Sequence, residues 1–202
     1  MEKKEIIKKF KLNSSQLAGI ESYLKQLIKF NTHTNLVGKS TLENPWISHV
    51  LDSLQILPHI KNKKKSILDM GSGAGLPGVI LNICGCKNVT LVDSNGKKIN
   101  FLKSLNSELE VSFKVVLGRL ESLGTLGFDV ITSRALANLD KLLTYSQKFI
   151  KKNTVLIFLK GKAVNEELID AQKNWTFILE KHQSFSDERG TLLIIKNLKK
   201  ND

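Results

Sequence analysis

The stretch Ile67-Leu68-Asp69-Met70-Gly71-Ser72-Gly73-Ala74-Gly75-Leu76-Pro77-Gly78 constrains this chain more than any other. A short apolar run ends in an acid, and glycine then takes every second position until Leu76-Pro77 opens a helical pattern. Glycines at 71, 73 and 75 let the backbone turn tightly and approach a bound group without an intervening Cβ. Proline suits the first helical turn, where its missing N–H costs nothing. The junction leaves the first N–H groups of a helix facing a bare loop, an arrangement that receives nucleotide-like ligands.

Around this loop, apolar runs of β type at 66–70, 89–93, 113–117, 128–132 and 154–160 alternate with helical patterns near 77–84, 97–109, 120–123 and 138–150. Such alternation predicts a parallel sheet with right-handed crossovers. After a last helix near 163–172, runs at 175–181 and 191–197 flank one polar loop, which predicts a closing antiparallel hairpin. Upstream, the pattern predicts a basic helix over 2–10 and a second helix capped by Asn13 or Ser14. Asn44-Pro45 opens a third, running to about Leu57. Its stripe of Ile47, Val50, Leu51 and Leu54 leaves His49, Asp52 and Ser53 together on another face at helical spacing. The basic stretch before Ser66 divides the chain into a helical extension, 1–62, and a main domain, 63–202.

A chain of 202 residues with 41% apolar and 25% charged content builds one core and is not disordered. No apolar run reaches membrane-spanning length, and the Lys-rich start lacks the form of a secretory signal, so a cytoplasmic protein with no membrane partner is expected. Cys84 and Cys86 supply only half a zinc site, and no metal is expected. The net charge of +12 points to a polyanionic partner. Residues 1–65 hold 12 Lys against 5 acids. Lys61, Lys63, Lys64 and Lys65 are candidates for holding an RNA backbone.

Ligands of open parallel sheets bind beyond the carboxyl ends of the strands. Those ends gather Asp69 with the glycine loop, Asp93, Arg119-Leu120-Glu121, Ser133-Arg134-Ala135 and Lys160-Gly161. Asp93 falls where a carboxylate accepts both hydroxyls of a ribose. Gly73 to Gly78 satisfies the G-x-G-x-x-G of dinucleotide enzymes, which leaves a nucleotide-dependent oxidoreductase on a Rossmann sheet as one reading. The carboxylates Asp69, Asp93 and Glu121 favour S-adenosylmethionine instead, because they attract its sulfonium and ammonium and would repel a diphosphate. A non-catalytic RNA-binding protein on the same scaffold is a third reading.

Asn35-Leu36, His49-Val50-Leu51-Asp52-Ser53, the loop from Asp69 to Gly78, Val92-Asp93-Ser94, Arg119-Leu120-Glu121, Ser133-Arg134-Ala135 and Leu159-Lys160-Gly161 occur in this order over roughly residues 30–161. With these motifs the chain resembles the glucose-inhibited division protein B family of ribosomal RNA small-subunit methyltransferases. The resemblance implies a class I S-adenosylmethionine-dependent methyltransferase fold, Rossmann-like, with helices packed before it. It implies methylation of guanine N7 at position 527 of 16S ribosomal RNA; the expected partner is that RNA or the small ribosomal subunit, and a monomer is expected. The expected cofactor residues are Asp69, Gly71, Gly73, Gly75, Leu76, Asp93, Leu120, Glu121 and Arg134. His49, Asp52, Ser53 and Lys160 are pocket candidates, with Arg134 and Lys160 also at a rim that faces RNA. Two positions depart from the family pattern: Ser48 stands where Arg is usual, and Phe30 where Trp is usual.

Overall fold

The structure, a computed structural model, describes residues 1–109 and 111–201. Two helices come first, α1 (Lys3–Phe10) and α2 (Ser14–Asn31). Asn13 caps α2 through its side chain, which accepts from the Gln16 N–H. The expected third helix is broken up. A 3₁₀ turn, Lys39–Leu42, is followed by a π-helical segment, Trp46–Leu51, a single α turn, α3 (Asp52–Leu54), and another 3₁₀ turn at Leu57–His59. A π turn takes an extra residue, so side chains that share a face on an α-helix are redistributed.

Seven strands follow: β1 (Ser66–Met70), β2 (Asn88–Asp93), β3 (Lys114–Leu117), β4 (Phe128–Arg134), β5 (Ile150–Lys160), β6 (Trp175–Gln183) and β7 (Thr191–Lys200). They form one sheet in the order β3-β2-β1-β4-β5-β7-β6. All neighbours up to β5 are parallel, while β7 lies antiparallel between β5 and β6. This is the class I methyltransferase sheet, with the hairpin at its edge. The helices α4 (Gly78–Ile83), α5 (Gly96–Glu108), α6 (Leu139–Ser146) and α7 (Val164–Asn174) make the crossovers. The helix expected at 120–123 is only a 3₁₀ turn, Leu120–Ser122. The chain leaves β1 toward β2 on one side and enters β4 on the other, so a crevice opens above β1 and β4.

Ile6, Ile20, Tyr23, Leu24 and Leu27 of the first two helices share one hydrophobic cluster with Val79, Ile80, Leu91, Leu102 and Val130. The N-terminal helices therefore cover α4 and α5 and bring the segment 46–54 over the crevice. Lys61 to Lys65 fall elsewhere. They precede β1 at the amino end of the strands, the edge opposite the glycine loop, and the Lys63 ammonium donates to the Cys84 carbonyl at 2.7 Å.

Candidate active site

The glycine loop is pinned from several sides. Asp69 is fully buried; its Oδ2 accepts from the Gly78 N–H at 3.0 Å and its Oδ1 from the Thr132 hydroxyl at 3.0 Å. Burial pushes this carboxyl up to about 7, against the hydrogen bonds from Gly78 and Thr132. The Ser72 hydroxyl donates to the Asp69 carbonyl at 2.8 Å and accepts from the Val92 N–H at 3.0 Å. From α2, the buried Tyr23 hydroxyl donates to the Ala74 carbonyl at 2.9 Å. Asp93 closes the turn: Oδ2 accepts from Gly73 N–H and Oδ1 from Asn95 N–H, both at 2.8 Å. Gly71 has φ +67°, a left-handed conformation that favours glycine, and the exposed Leu136 side chain packs where a Cβ would stand.

Three adjoining cavities run along the carboxyl ends of the strands. The first, about 280 Å³, is lined by Gly71, Asp93, Leu120, Glu121, Leu136 and Tyr145. The second, about 380 Å³, meets it at Gly71 and continues past Gly73, Leu76, His49 and Arg134. The third, about 720 Å³, shares Thr41, Ser48, Arg134 and Ala135 with the second. It widens between Asp52, Lys160 and the loop joining β6 to β7.

Arg134, at the end of β4, ties this trough to the N-terminal segment. Its Nη1 donates to Asp52 Oδ2 at 3.0 Å and to the Ser48 carbonyl at 3.0 Å. Both Nη atoms lie 3.4 Å from His49 Nδ1, while His49 Nε2 is 3.0 Å from the Thr41 hydroxyl. A guanidinium only donates, so Nδ1 is the acceptor and the proton sits on Nε2. Burial, then the Arg134 charge, hold His49 down to about 4. Between that value and the ordinary value near 6.5, the unfolded chain carries a proton that the folded one lacks. Stability is therefore complete at neutral pH and is lost as pH falls from 6.5 toward 4. A His49→Gln variant, which can still accept and donate, is expected to show a shallower fall in thermal midpoint over this window when both proteins are melted at each pH.

Asp52 also anchors the hairpin loop. Its Oδ1 accepts from Ser186 Oγ at 2.6 Å and from Gln55 Nε2 at 3.0 Å. Gln55 in turn donates to Ser184 Oγ at 3.2 Å and accepts from the Phe185 N–H at 3.0 Å.

A sequence model of the family "GidB: rRNA small subunit methyltransferase G" matches residues 16–195. The chain belongs to this family. It is 40% identical over 178 residues to the ribosomal RNA small subunit methyltransferase G of Rhodospirillum rubrum, covering 87% of this chain and 88% of that one. The Paramagnetospirillum magneticum protein of the same name is 34% identical over 194 residues, covering 96% and 95%. In fold, the chain is similar to a SAM dependent methyltransferase from Aquifex aeolicus, with a TM-score of 0.60 at 16% identity over 78% of this chain and 95% of that one.

Within this GidB frame, Gly71, Gly73, Leu76, Asp93, Leu120, Glu121 and Arg134 line the first two cavities. Asp69 and Gly75 do not. Asp69 has no exposed surface, and Gly75 packs against Val79 and Leu102 beneath the loop, so both shape the turn from below. Ser53 is also withdrawn: it is fully buried and its hydroxyl donates to the His49 carbonyl at 2.7 Å. That i to i−4 contact turns Ser53 back onto its own helix and away from the trough, while Asp52 reaches the cavity wall. Lys160 lines the widest cavity, but its ammonium is held by Glu167 Oε2 at 2.6 Å and by the Ala137 carbonyl at 2.8 Å. At the two departures from the family pattern, Ser48 contributes its carbonyl to Arg134, and Phe30 packs its ring on Phe101 at 5.1 Å. Tyr23, Gln55 and Ser186 escaped the sequence reading. Tyr23, an amphipathic residue among apolar helix positions, carried the only available hint: a buried phenol needs a hydrogen-bond partner.

Proposed function

We propose that this chain methylates N7 of guanine 527 in 16S ribosomal RNA, as the free RNA or in the small subunit, acting as a monomer in the cytoplasm. The observation that carries the reading is the trough itself. A narrow cavity with Asp93 at the end of β2 meets a second at Gly71, which leads past Arg134 into a wide one bounded by Asp52.

The residues present fit S-adenosylmethionine. The first cavity offers the Asp93 carboxylate for ribose hydroxyls and Leu120 and Tyr145 for a base. Gly71, Gly73 and Leu76 line the second with little side-chain bulk, and Arg134 supplies a cation there. When bound, S-adenosylmethionine supplies an electrophilic methyl group on a sulfonium. Guanine N7 presents an in-plane lone pair and carries no proton, so no general base is required. The protein's part is alignment and exclusion of water, worth on the order of 7–11 kcal/mol in well-oriented systems. His49 matches this assignment: it is neutral and both ring nitrogens are engaged, so its work is to orient Arg134 and Thr41. The methylated base is cationic, and Asp52 places a carboxylate on the wall of the widest cavity to offset that charge. The segment 1–62, in this reading, is the wall that completes the acceptor cavity on the domain 63–202.

The test is transfer of a radiolabelled methyl group to small subunits from cells lacking the protein, followed by digestion and mapping. One labelled 7-methylguanosine is the expected product. An oxidoreductase on this sheet would instead bind NAD in calorimetry and leave the RNA unlabelled.

A further inference from the structure

The amino ends of the strands, opposite the trough, carry a second basic surface. Lys64 precedes β1, Lys87 precedes β2, Lys114 opens β3, Lys151 and Lys152 lie at the start of β5, and Lys199 lies near the end of β7. The β7 register puts Lys199 on this edge, because Lys196 pairs with Val155 while Thr191 pairs with Lys160 at the other end. All six side chains are exposed. Among the described residues only Lys151 of these is in an ion pair, with Asp129 at 2.9 Å. The edge is also concave. A cavity of about 500 Å³ is lined by Lys151, Lys152, Asn197 and Lys199 above a floor that includes Leu156, Ile195 and Leu198. Cations around an apolar floor suit a nucleotide, whose phosphates meet the lysines while its base or sugar covers the floor. Bare like charges gathered on one edge repel one another unless a polyanion lies across them.

We propose that this hollow is a second RNA-binding site, which grips a segment of the same folded substrate remote from the target guanine. The proposal rests on the methyltransferase reading for the identity of the RNA and not for the site. Lys152 and Lys160 are separated by about 25 Å along β5, so a single short stem seated in the trough does not reach both edges. A large folded RNA presents several segments at once and can straddle the sheet, which gives selectivity for the assembled target over isolated fragments.

A variant carrying Lys64→Gln, Lys87→Gln, Lys152→Gln and Lys199→Gln tests this. Lys151 and Lys63 are left intact because each has a partner within the fold. Binding of the variant to intact small subunits is expected to fall at least about tenfold near physiological salt, with the salt slope reduced by roughly 0.7–0.9 for each phosphate no longer neutralised. Calorimetric affinity for S-adenosylmethionine should not change. A benzophenone side chain at position 152 should crosslink to ribosomal RNA at nucleotides away from the methylated guanine. Unchanged affinity and slope, crosslinks to protein alone, or a loss of binding only to anionic lipid vesicles would each overturn the proposal. Should the wild-type protein bind the subunit without methylating it, the functional reading fails while this site is still tested by the slope and the crosslink.

Discussion

Asp93→Ala is expected to weaken S-adenosylmethionine binding by about a hundredfold, with a smaller loss of global stability. The carboxylate has two functions at once. It accepts the Gly73 and Asn95 N–H groups, which fixes the glycine loop to the start of α5, and it lines the cavity proposed for the nucleoside. Hydrogen bonds to a charged acceptor contribute roughly 1.5–3 kcal/mol each, and about 2.7 kcal/mol corresponds to a hundredfold in affinity. Asp93→Asn keeps one acceptor oxygen and should fall between the two. Calorimetry with S-adenosylmethionine measures the effect, and the thermal midpoint without ligand separates binding from folding. An affinity within about threefold of wild type would remove Asp93 from the ribose position.

The reason this residue was legible in the sequence, while its neighbours were less so, is physical. Asp93 ends a β-type run in a chain whose alternation dictates a parallel sheet, so topology alone puts it beside the glycine loop. The same logic brings Gly71, Leu120, Glu121 and Arg134 to the cavity walls. It misplaced Asp69, because a strand-end acid reads identically whether it faces a ligand or folds back onto the N–H of Gly78. Periodicity also failed over 45–57. His49, Asp52 and Ser53 were grouped on α-helical spacing, but only His49 and Asp52 line the trough, while Ser53 is buried with its hydroxyl on the His49 carbonyl. The contacts of Tyr23 with Ala74, and of Gln55 with Ser184 and Phe185, join residues 51 and about 130 positions apart. No local pattern encodes such pairs; they arise only when the N-terminal helices and the closing hairpin pack on the finished sheet.

Asp52→Ala should be the most damaging single change on the acceptor side. One carboxylate there connects three parts of the chain: Arg134 of β4, Gln55 beyond α3, and Ser186 of the hairpin loop. The Arg134 and Asp52 side chains are only 19% and 14% exposed, so removing one leaves a largely desolvated guanidinium without its anion. Breaking such a pair costs about 3–5 kcal/mol when fully buried, and the residual exposure here favours the lower end, about 3 kcal/mol. Denaturant unfolding should report that loss, and Asp52→Asn, which keeps one acceptor oxygen for Gln55 and Ser186 but turns an amide NH2 toward Arg134, should recover only a small part of it. Turnover on small subunits is expected to drop further than affinity for S-adenosylmethionine, because Asp52 lines the widest cavity and the nucleoside cavity lies beyond Gly71. The decisive comparison adds Ser186→Ala. If Asp52 acts by holding the hairpin loop against the acceptor, the losses in turnover from Asp52→Ala and Ser186→Ala will not add, since the first already frees the loop. Additive losses would mean that the carboxylate and the loop act independently, the carboxylate through Arg134 and not by holding Ser186.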